Sequence, residues 1–368
     1  MVRALALAVL AGCSFAAHSP ANGSDASSSG GGPQRDGDAP IDARAAQVHR
    51  IDVVGTVTGG PHADFPVLVA VTKDWLRDTA HGGAASANGD DIAFYGDAAA
   101  TQLLAFEIEQ YAPTTGALVA WVKLPQLATA QSFYIAAGAP ANQDNAPAVW
   151  SSSFAGVWHM SGVAESTGIA TIEGGSSDTT ATGGKIADAR TFQSAMLSAS
   201  SSQVTDVFAT GGTAEAWINT TNAGGSSLGR IFDKGPTLFV FSMCDGNFDP
   251  NSLLFGRTIG GSGTNWCTGS NVFTPGTWAH VAVTFDDRAG PPQFYVDGAP
   301  VSIGIDASRS GTADTDAAGP LTIGDRTTGG RAFAGSLDEL RLVRTVRSAG
   351  WIATEYANQS DPAWLNIN

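Results

Sequence analysis

Residues 277–286 read "TWAHVAVTFD" and residues 294–301 read "FYVDGAPV". The two runs are rich in β-branched and aromatic residues. Asp297-Gly298 sits between apolar stretches and supplies the two positions that tolerate positive φ in a type I′ turn, so this stretch is a β-hairpin. The composition agrees: charged residues make up only 14% of the 368, and glycine numbers 45, which suits many short strands and tight turns.

Working outward, the same texture fills residues 154–347. "AGVWHM", "RTFQSAMLSA", "TAEAWINT", "LGRIFDK", "TLFVFSM", "SLLFGR", "GPLTIGDR" and "FAGSLDELRLV" all read as strands, and ten or more of them suggest a jelly-roll sandwich. Upstream, residues 47–140 hold six further strands: "HRIDVVGTV", "FPVLVAV", "DIAFY", "LLAFEIEQY", "ALVAWVKLP" and "SFYIAAG". In "ALVAWVKLP", Leu118, Ala120, Val122 and Leu124 share one face and Val119, Trp121 and Lys123 the other, so one face packs and the other is partly wet. Pro140, Pro147 and a lost apolar period mark a boundary near 138–152. Residues 348–368 form a tail with one helix, "SAGWIATEYANQ", whose spacing lets Trp351 and Tyr356 lie on the sandwich. The fold class expected is therefore all-β: an N-terminal β-sandwich, then a jelly roll, then one short helix.

These words carry a resemblance. "GVWHM" (156–160), "AEAWIN" (214–219), "TWAHVAVTFD", "FYVDG", "LTIGD" (321–325) and "FAGSLDELRL" (333–342) resemble, in order, the laminin-G-like, concanavalin A-like jelly rolls of bacterial surface proteins. "NGDDIAFYGD" (88–97), "LLAFEIEQY", "AWVKLP" and "FYIAAG" resemble a bacterial domain of unknown function that often precedes such jelly rolls, and the closing "RSAGWIATEYANQSDP" (347–362) is similar to the tail seen when the two domains occur together. The resemblance implies a module that binds a glycan or an extracellular protein, often with Ca²⁺; some members of the superfamily are glucanases.

The chain opens "MVRALALAVLAGCSFAAHSP". Arg3, the apolar run Ala4 to Leu10 and the tetrapeptide Leu10-Ala11-Gly12-Cys13 match a bacterial lipobox, making residues 1–13 a signal and Cys13 the lipidation site. Ser14 resembles the sorting residue of outer-membrane lipoproteins. Residues 14–46 are Ser, Gly, Ala, Asp and Pro with little to bury, a tether on the order of 30 Å in mean reach. The cell envelope is the expected location, with the membrane touched only through the lipid.

With Cys13 so assigned, Cys244 and Cys267 remain as a disulfide pair. Net charge is −15 and only Lys73, Lys123, Lys185 and Lys234 are lysines, which argues against nucleic acid as a partner. Catalysis finds no motif: there is no Glu-x-Asp-x-x-Glu strand, Glu215 stands alone, and Asp338 and Glu339 as strand neighbours point to opposite faces. Nucleophilic serine chemistry finds no base, since His159 and His280 lie in framework words. Two candidate Ca²⁺ positions remain: the alternating oxygen donors Asp245, Asn247, Asp249 and Asn251 in "CDGNFDPNS", and Asp338. Trp266, in the Gly/Ser/Thr/Asn-rich run "GGSGTNWCTGS", is the aromatic expected to be exposed for ligand stacking.

Overall fold

The structure, a computed structural model, describes residues 46–150, 153–174, 179–199, 204–235, 239–244, 250–305 and 311–368. The lipobox, Cys13 and the tether lie outside the described residues, as do Asp245, Asn247 and Asp249. Arg44–Asn368 forms one compact unit. No helix among the described residues is long and apolar enough to cross a membrane.

Six strands at the six upstream words build a sandwich, and a seventh comes from the far end of the chain. Its four-stranded sheet runs Leu365–Ile367, Gln47–Val53, Ser132–Ala137, Ile92–Tyr95; its three-stranded sheet runs His62–Thr72, Ala117–Leu127, Phe106–Ala112. The core between them holds Ile51, Phe65, Phe94, Phe106, Leu118, Val122, Leu124 and Phe133, as the period of two requires. Leu365–Ile367 pairs antiparallel with Gln47–Val53, so the tail completes the first sandwich.

The larger sandwich has two eight-stranded sheets among the described residues. One runs Ala299–Val301, Gln293–Val296, Ala279–Phe285, Gly212–Thr220, Gly335–Val343, Asp188–Phe192, Thr180–Gly183, with Phe154–Trp158 also paired to Gly335–Val343. The other runs Ile303–Ile305, Ser262–Thr268, Leu253–Ile259, Phe239–Met243, Arg230–Lys234, Leu321–Ile323, Leu197–Ala199, Ile172–Gly174. Asp297 and Gly298 take φ of 49° and 75°, with Val296 opposite Ala299, which is the two-residue hairpin expected.

The helix spans Ala349–Ser360, and Ser348 caps it by accepting a hydrogen bond from the Trp351 N–H at 3.1 Å. It bridges the two sandwiches. Trp351 packs on Phe65 of the first (4.6 Å between centroids) and Tyr356 tilts onto Trp217 of the second (5.8 Å). Asn358 seals an open strand edge, accepting from the Leu68 N–H at 2.7 Å and donating to the Leu68 carbonyl at 3.1 Å. The proline-rich boundary also packs: Ala146–Val149 is a single helical turn, and Val149 and Trp150 join Leu68, Trp121, Phe154 and Val343 in a shared apolar cluster. Trp121 is accordingly dry, because the larger sandwich covers the face read as wet.

Candidate functional site

The strands Gly212–Thr220, Gly335–Val343 and Asp188–Phe192 lie side by side, and along them the outer face of one sheet changes character. At one end Thr191, Ser336 and Asn219 stand in register across the three strands. Around this polar row Gln193 and Ser194, Thr221 to Gly225 and Ala332 to Gly335 form a cleft of about 600 Å³. The loops are pinned by the backbone: Thr221 N donates to Ala334 O at 2.8 Å and Gly225 N to Ala332 O at 2.8 Å. Gly335 is required by close approach, since a Cβ there would stand 2.2 Å from the Asn219 carbonyl oxygen. Thr191 and Ser336 join hydroxyls at 3.0 Å, and Asn222 Oδ1 accepts from the Gly224 N–H at 2.8 Å. The Gln193 and Asn219 amides stay open to a ligand. The described lining contains hydroxyls, amides and backbone, with no carboxylate and no imidazole.

Toward the other end the same face is buried and ionic. There Glu107 and Glu109 of Phe106–Ala112 meet His159, Glu339 and Arg341 of the jelly roll and Glu355 of the helix. Glu107 accepts from Trp150 Nε1 (2.7 Å), His159 Nε2 (3.2 Å) and Ser166 Oγ (2.7 Å); Glu109 accepts from Trp121 Nε1 and Ser161 Oγ, each at 3.0 Å. His159 Nδ1 donates to Glu339 Oε1 at 2.7 Å. Arg341 pairs with Glu339 at 2.8 Å and with Glu355, and its guanidinium lies 4.4 Å from the Trp121 ring centroid and 5.0 Å from that of Trp150. Burial alone would lower the His159 pKa, but Glu339, Glu107 and Glu109 outweigh it and hold the ring charged well above its usual range. Burial pushes Glu109 up to about 8. Glu109, His159 and Glu339 offer a ligand set compact enough for a metal. With both ring nitrogens of His159 facing carboxylates, a charged imidazolium already fills the role of cation.

Asp338 and Glu339 do not point to opposite faces. Glu215 pairs with Arg341 and Trp217 with Asp338, so the Gly335–Val343 strand carries one extra residue opposite Ala216. Glu339 absorbs it at φ 49°, a β-bulge. Leu337, Leu340 and Leu342 consequently enter the core while Asp338, Glu339 and Arg341 all face outward. Asp338 is buried and accepts the Lys185 N–H at 2.8 Å and the Ile186 N–H at 2.9 Å; burial and the Glu339 charge raise its pKa well above the ordinary carboxylate range. It braces a turn of the jelly roll rather than standing at an open rim.

Trp266 also departs from expectation. "GGSGTNW" is no loop: Gly260 and Gly261, at φ 57° and 78°, make a two-residue turn from Leu253–Ile259 into Ser262–Thr268. Trp266 then points inward, fully buried between Phe255 and Phe285 (6.4 and 5.8 Å). Its neighbour Cys267 faces the other way and is joined to Cys244 in a small cluster with Val240 and Leu254. Asn251 donates to Asn271 Oδ1 at 3.0 Å. His280 is buried against Trp217, and burial lowers its pKa to about 4. Glu215 is buried beside Glu355, and burial followed by the Glu355 charge raises its pKa well above the ordinary range. None of Trp266, Asp338, His280 or Glu215 lines the cleft.

Residues 190–353 match the family Laminin_G_3, described as the concanavalin A-like lectin/glucanases superfamily. That stretch includes the strands flanking the cleft, and it forms a lectin-like jelly roll within a predominantly β chain. A 91-residue stretch is 35% identical to the adhesion G-protein coupled receptor V1 of Danio rerio, covering 24% of this chain and 1% of that protein. Among solved structures, the binding domain of Paraclostridial Mosquitocidal Protein 1 is similar at TM-score 0.43 with 12% identity, covering 55% of this chain and 52% of that one. The CBM40 of the Ruminococcus gnavus IT-sialidase, solved with α2,3-sialyllactose, is similar at TM-score 0.31 with 14% identity, covering 39% and 80%.

Proposed function

We propose that this is a non-catalytic binding protein of the cell envelope, held there through Cys13, whose jelly roll takes a neutral glycan in the cleft around Thr191, Asn219, Asn222 and Ser336. The observation that carries the reading is the lining: hydroxyls and amides that match sugar hydroxyls as donors and acceptors, in a volume within the usual range of about 300–1,000 Å³ for ligand sites. General acid–base hydrolysis needs carboxylates at the ligand. Here Glu107, Glu109, Glu215, Glu339 and Glu355 are withdrawn into the contact with the first sandwich and the helix. A glycan is favoured over a protein partner because the large apolar side chains left exposed among the described residues, Val54, Leu103, Ile169 and Val346, all lie away from the cleft.

The test is a glycan array probed with the full chain, disulfide intact, in Ca²⁺ and in chelator. Saturable binding to an uncharged glycan that N219A/N222A weakens at least tenfold is expected. Dependence on Ca²⁺ would show that the chain uses the ion and would direct substitutions to Asp245, Asn247, Asp249 and Asp338. Absence of binding in both buffers would overturn the glycan reading in favour of an extracellular protein partner or a structural spacer.

A further inference from the structure

The first sandwich, for which the sequence offers no activity, opens at one end between its two sheets. The opening is built on a simple spacing. Phe94 and Gly96, Leu104 and Gln102, Leu124 and Gln126, and Phe133 and Gln131 are each two residues apart, so each of four chain segments passes from an apolar floor to a rim position in one step of the strand period. Gly96 N bonds Gln102 O at 2.8 Å and Leu104 N bonds Phe94 O at 2.8 Å, which fixes two of these pairs side by side. The result is a cleft of about 380 Å³ floored by Leu104, Leu124 and Phe133 and edged by Gln102, Gln126 and Gln131.

Three features make this more than a polar sandwich end. The described lining bears no charged side chain, in a chain of net charge −15. Gly96 adds no side chain to the mouth, where a Cβ would stand in ordinary contact with Gln102 Oε1 at 3.4 Å. Gln131 spends its carbonyl on the Ala128 N–H at 2.9 Å and thereby holds the rim turn, while the Gln102 and Gln126 amides remain open. An amide offers a donor and an acceptor a short distance apart, which suits neighbouring sugar hydroxyls, and the apolar floor suits the C–H face of a ring.

We infer that this mouth is a second saccharide site, so that one chain presents two clefts of the same uncharged chemistry. The inference deepens the glycan-binding reading and rests on it. Two sites on one chain raise the apparent affinity for a polymer carrying repeated epitopes, relative to a single short oligosaccharide.

The experiment is a calorimetric titration of the full chain with a panel of neutral tetrasaccharides of glucose, galactose, mannose and N-acetylglucosamine. It compares wild type, Q102A/Q126A, N219A/N222A and the four-fold variant, each checked for an unchanged thermal melt. Should Q102A/Q126A melt early, the single exposed change Q126A replaces it. Two sites per wild-type chain are expected, one in each double variant and none in the four-fold variant. If Q102A/Q126A titrates as wild type, the second site is refuted while the jelly-roll cleft stands. If N219A/N222A titrates as wild type and Q102A/Q126A loses binding, the second site stands and the jelly-roll assignment falls. If wild type binds no member of the panel, both fall.

Discussion

Replacing Arg341 by methionine tests whether the ionic contact between the sandwiches holds the molecule together. Methionine keeps most of the side-chain stem and removes the charge. In the native structure the Arg341, Glu339 and Glu355 side chains are each 1% exposed, so the substitution strands two carboxylates away from water. Breaking a buried pair in this way costs about 3–5 kcal/mol, well beyond the ~0–1 kcal/mol of a surface pair. Loss of the stacking on Trp121 and Trp150 adds to this by up to about 1 kcal/mol for each ring. At roughly 2–4 °C per kcal/mol for a chain of this order, the melting temperature of the full protein falls by roughly 6–28 °C near neutral pH. The companion variant R341M/E339Q/E355Q removes the stranded charges and recovers more than half of the loss, because the penalty lies in the unpaired carboxylates. Scanning calorimetry and urea unfolding of the three proteins decide the matter. A loss under about 1 kcal/mol for R341M, or a triple variant no better than R341M, refutes the reasoning.

The same contact sets the pH response. Glu109, pushed up to about 8, keeps a proton in the native state over a range where the unfolded chain has released it. His159, held charged well above its usual range, does the same at higher pH. Both contributions are complete below the unfolded pKa values and are lost as pH rises through the folded ones, by up to about 1.4 kcal/mol per pH unit for each proton. Stability measured by urea unfolding therefore declines from mildly acidic toward alkaline pH, and E109Q flattens the part of that decline below about pH 8; an unchanged slope in E109Q counts against this assignment. At the acid end, Glu107 and Glu355, held below the ordinary range by His159 and Arg341 against the effect of burial, reverse the trend as pH falls through their depressed values. The cross-link made by the helix is tested by N358A, which leaves the buried Leu68 N–H and carbonyl unpaired at about 1–3 kcal/mol each. A loss of at least about 2 kcal/mol is expected in denaturant unfolding, and a change under about 0.5 kcal/mol shows that water replaces the amide.

What the sequence discloses here follows its periodicities. The strands, the Asp297-Gly298 hairpin and the helix from Ala349 rest on local spacing and turn chemistry, which act within a few residues. The errors arise where one residue breaks the count or where a distant surface covers a face. Glu339 is the first case: its bulge turns two neighbouring acids to the same side, and "SLDELRL" holds no glycine or proline to announce it. Trp266 is different from both, since Gly260-Gly261 is itself a local hairpin signal, and taking it as one moves the tryptophan from a loop into the core. The acids of "FEIEQY" alternate as a solvated strand face should; that they are buried depends on His159, fifty residues away, and on Arg341, far beyond that. The cleft residues Thr191, Asn219 and Ser336 were equally silent, being common polar residues that acquire meaning only through cross-strand register.

That register places the charges where they bear on selectivity. Along one pair of strands, Trp217, Glu215, Asp338, Glu339 and Arg341 lie in the covered part of the face, and Asn219 and Ser336 in the open part. Carboxylates are thus neutralised internally by Arg341 and His159, or kept protonated by burial, instead of lining the two clefts. An anionic ligand approaching a chain of net charge −15 meets long-range repulsion and finds no arginine or lysine in the described lining of either cleft to offset it. A cationic ligand is drawn in by the same field, but neither described lining offers a carboxylate to hold it. A neutral hydroxyl-rich ligand would escape both penalties, since its binding energy would come from the amides, hydroxyls and apolar floor already present. On the proposed glycan-binding reading, a preference for uncharged glycans would be set by where the fold hides its acids, and raising the salt concentration is expected to weaken the discrimination against anionic glycans while leaving neutral binding almost unchanged.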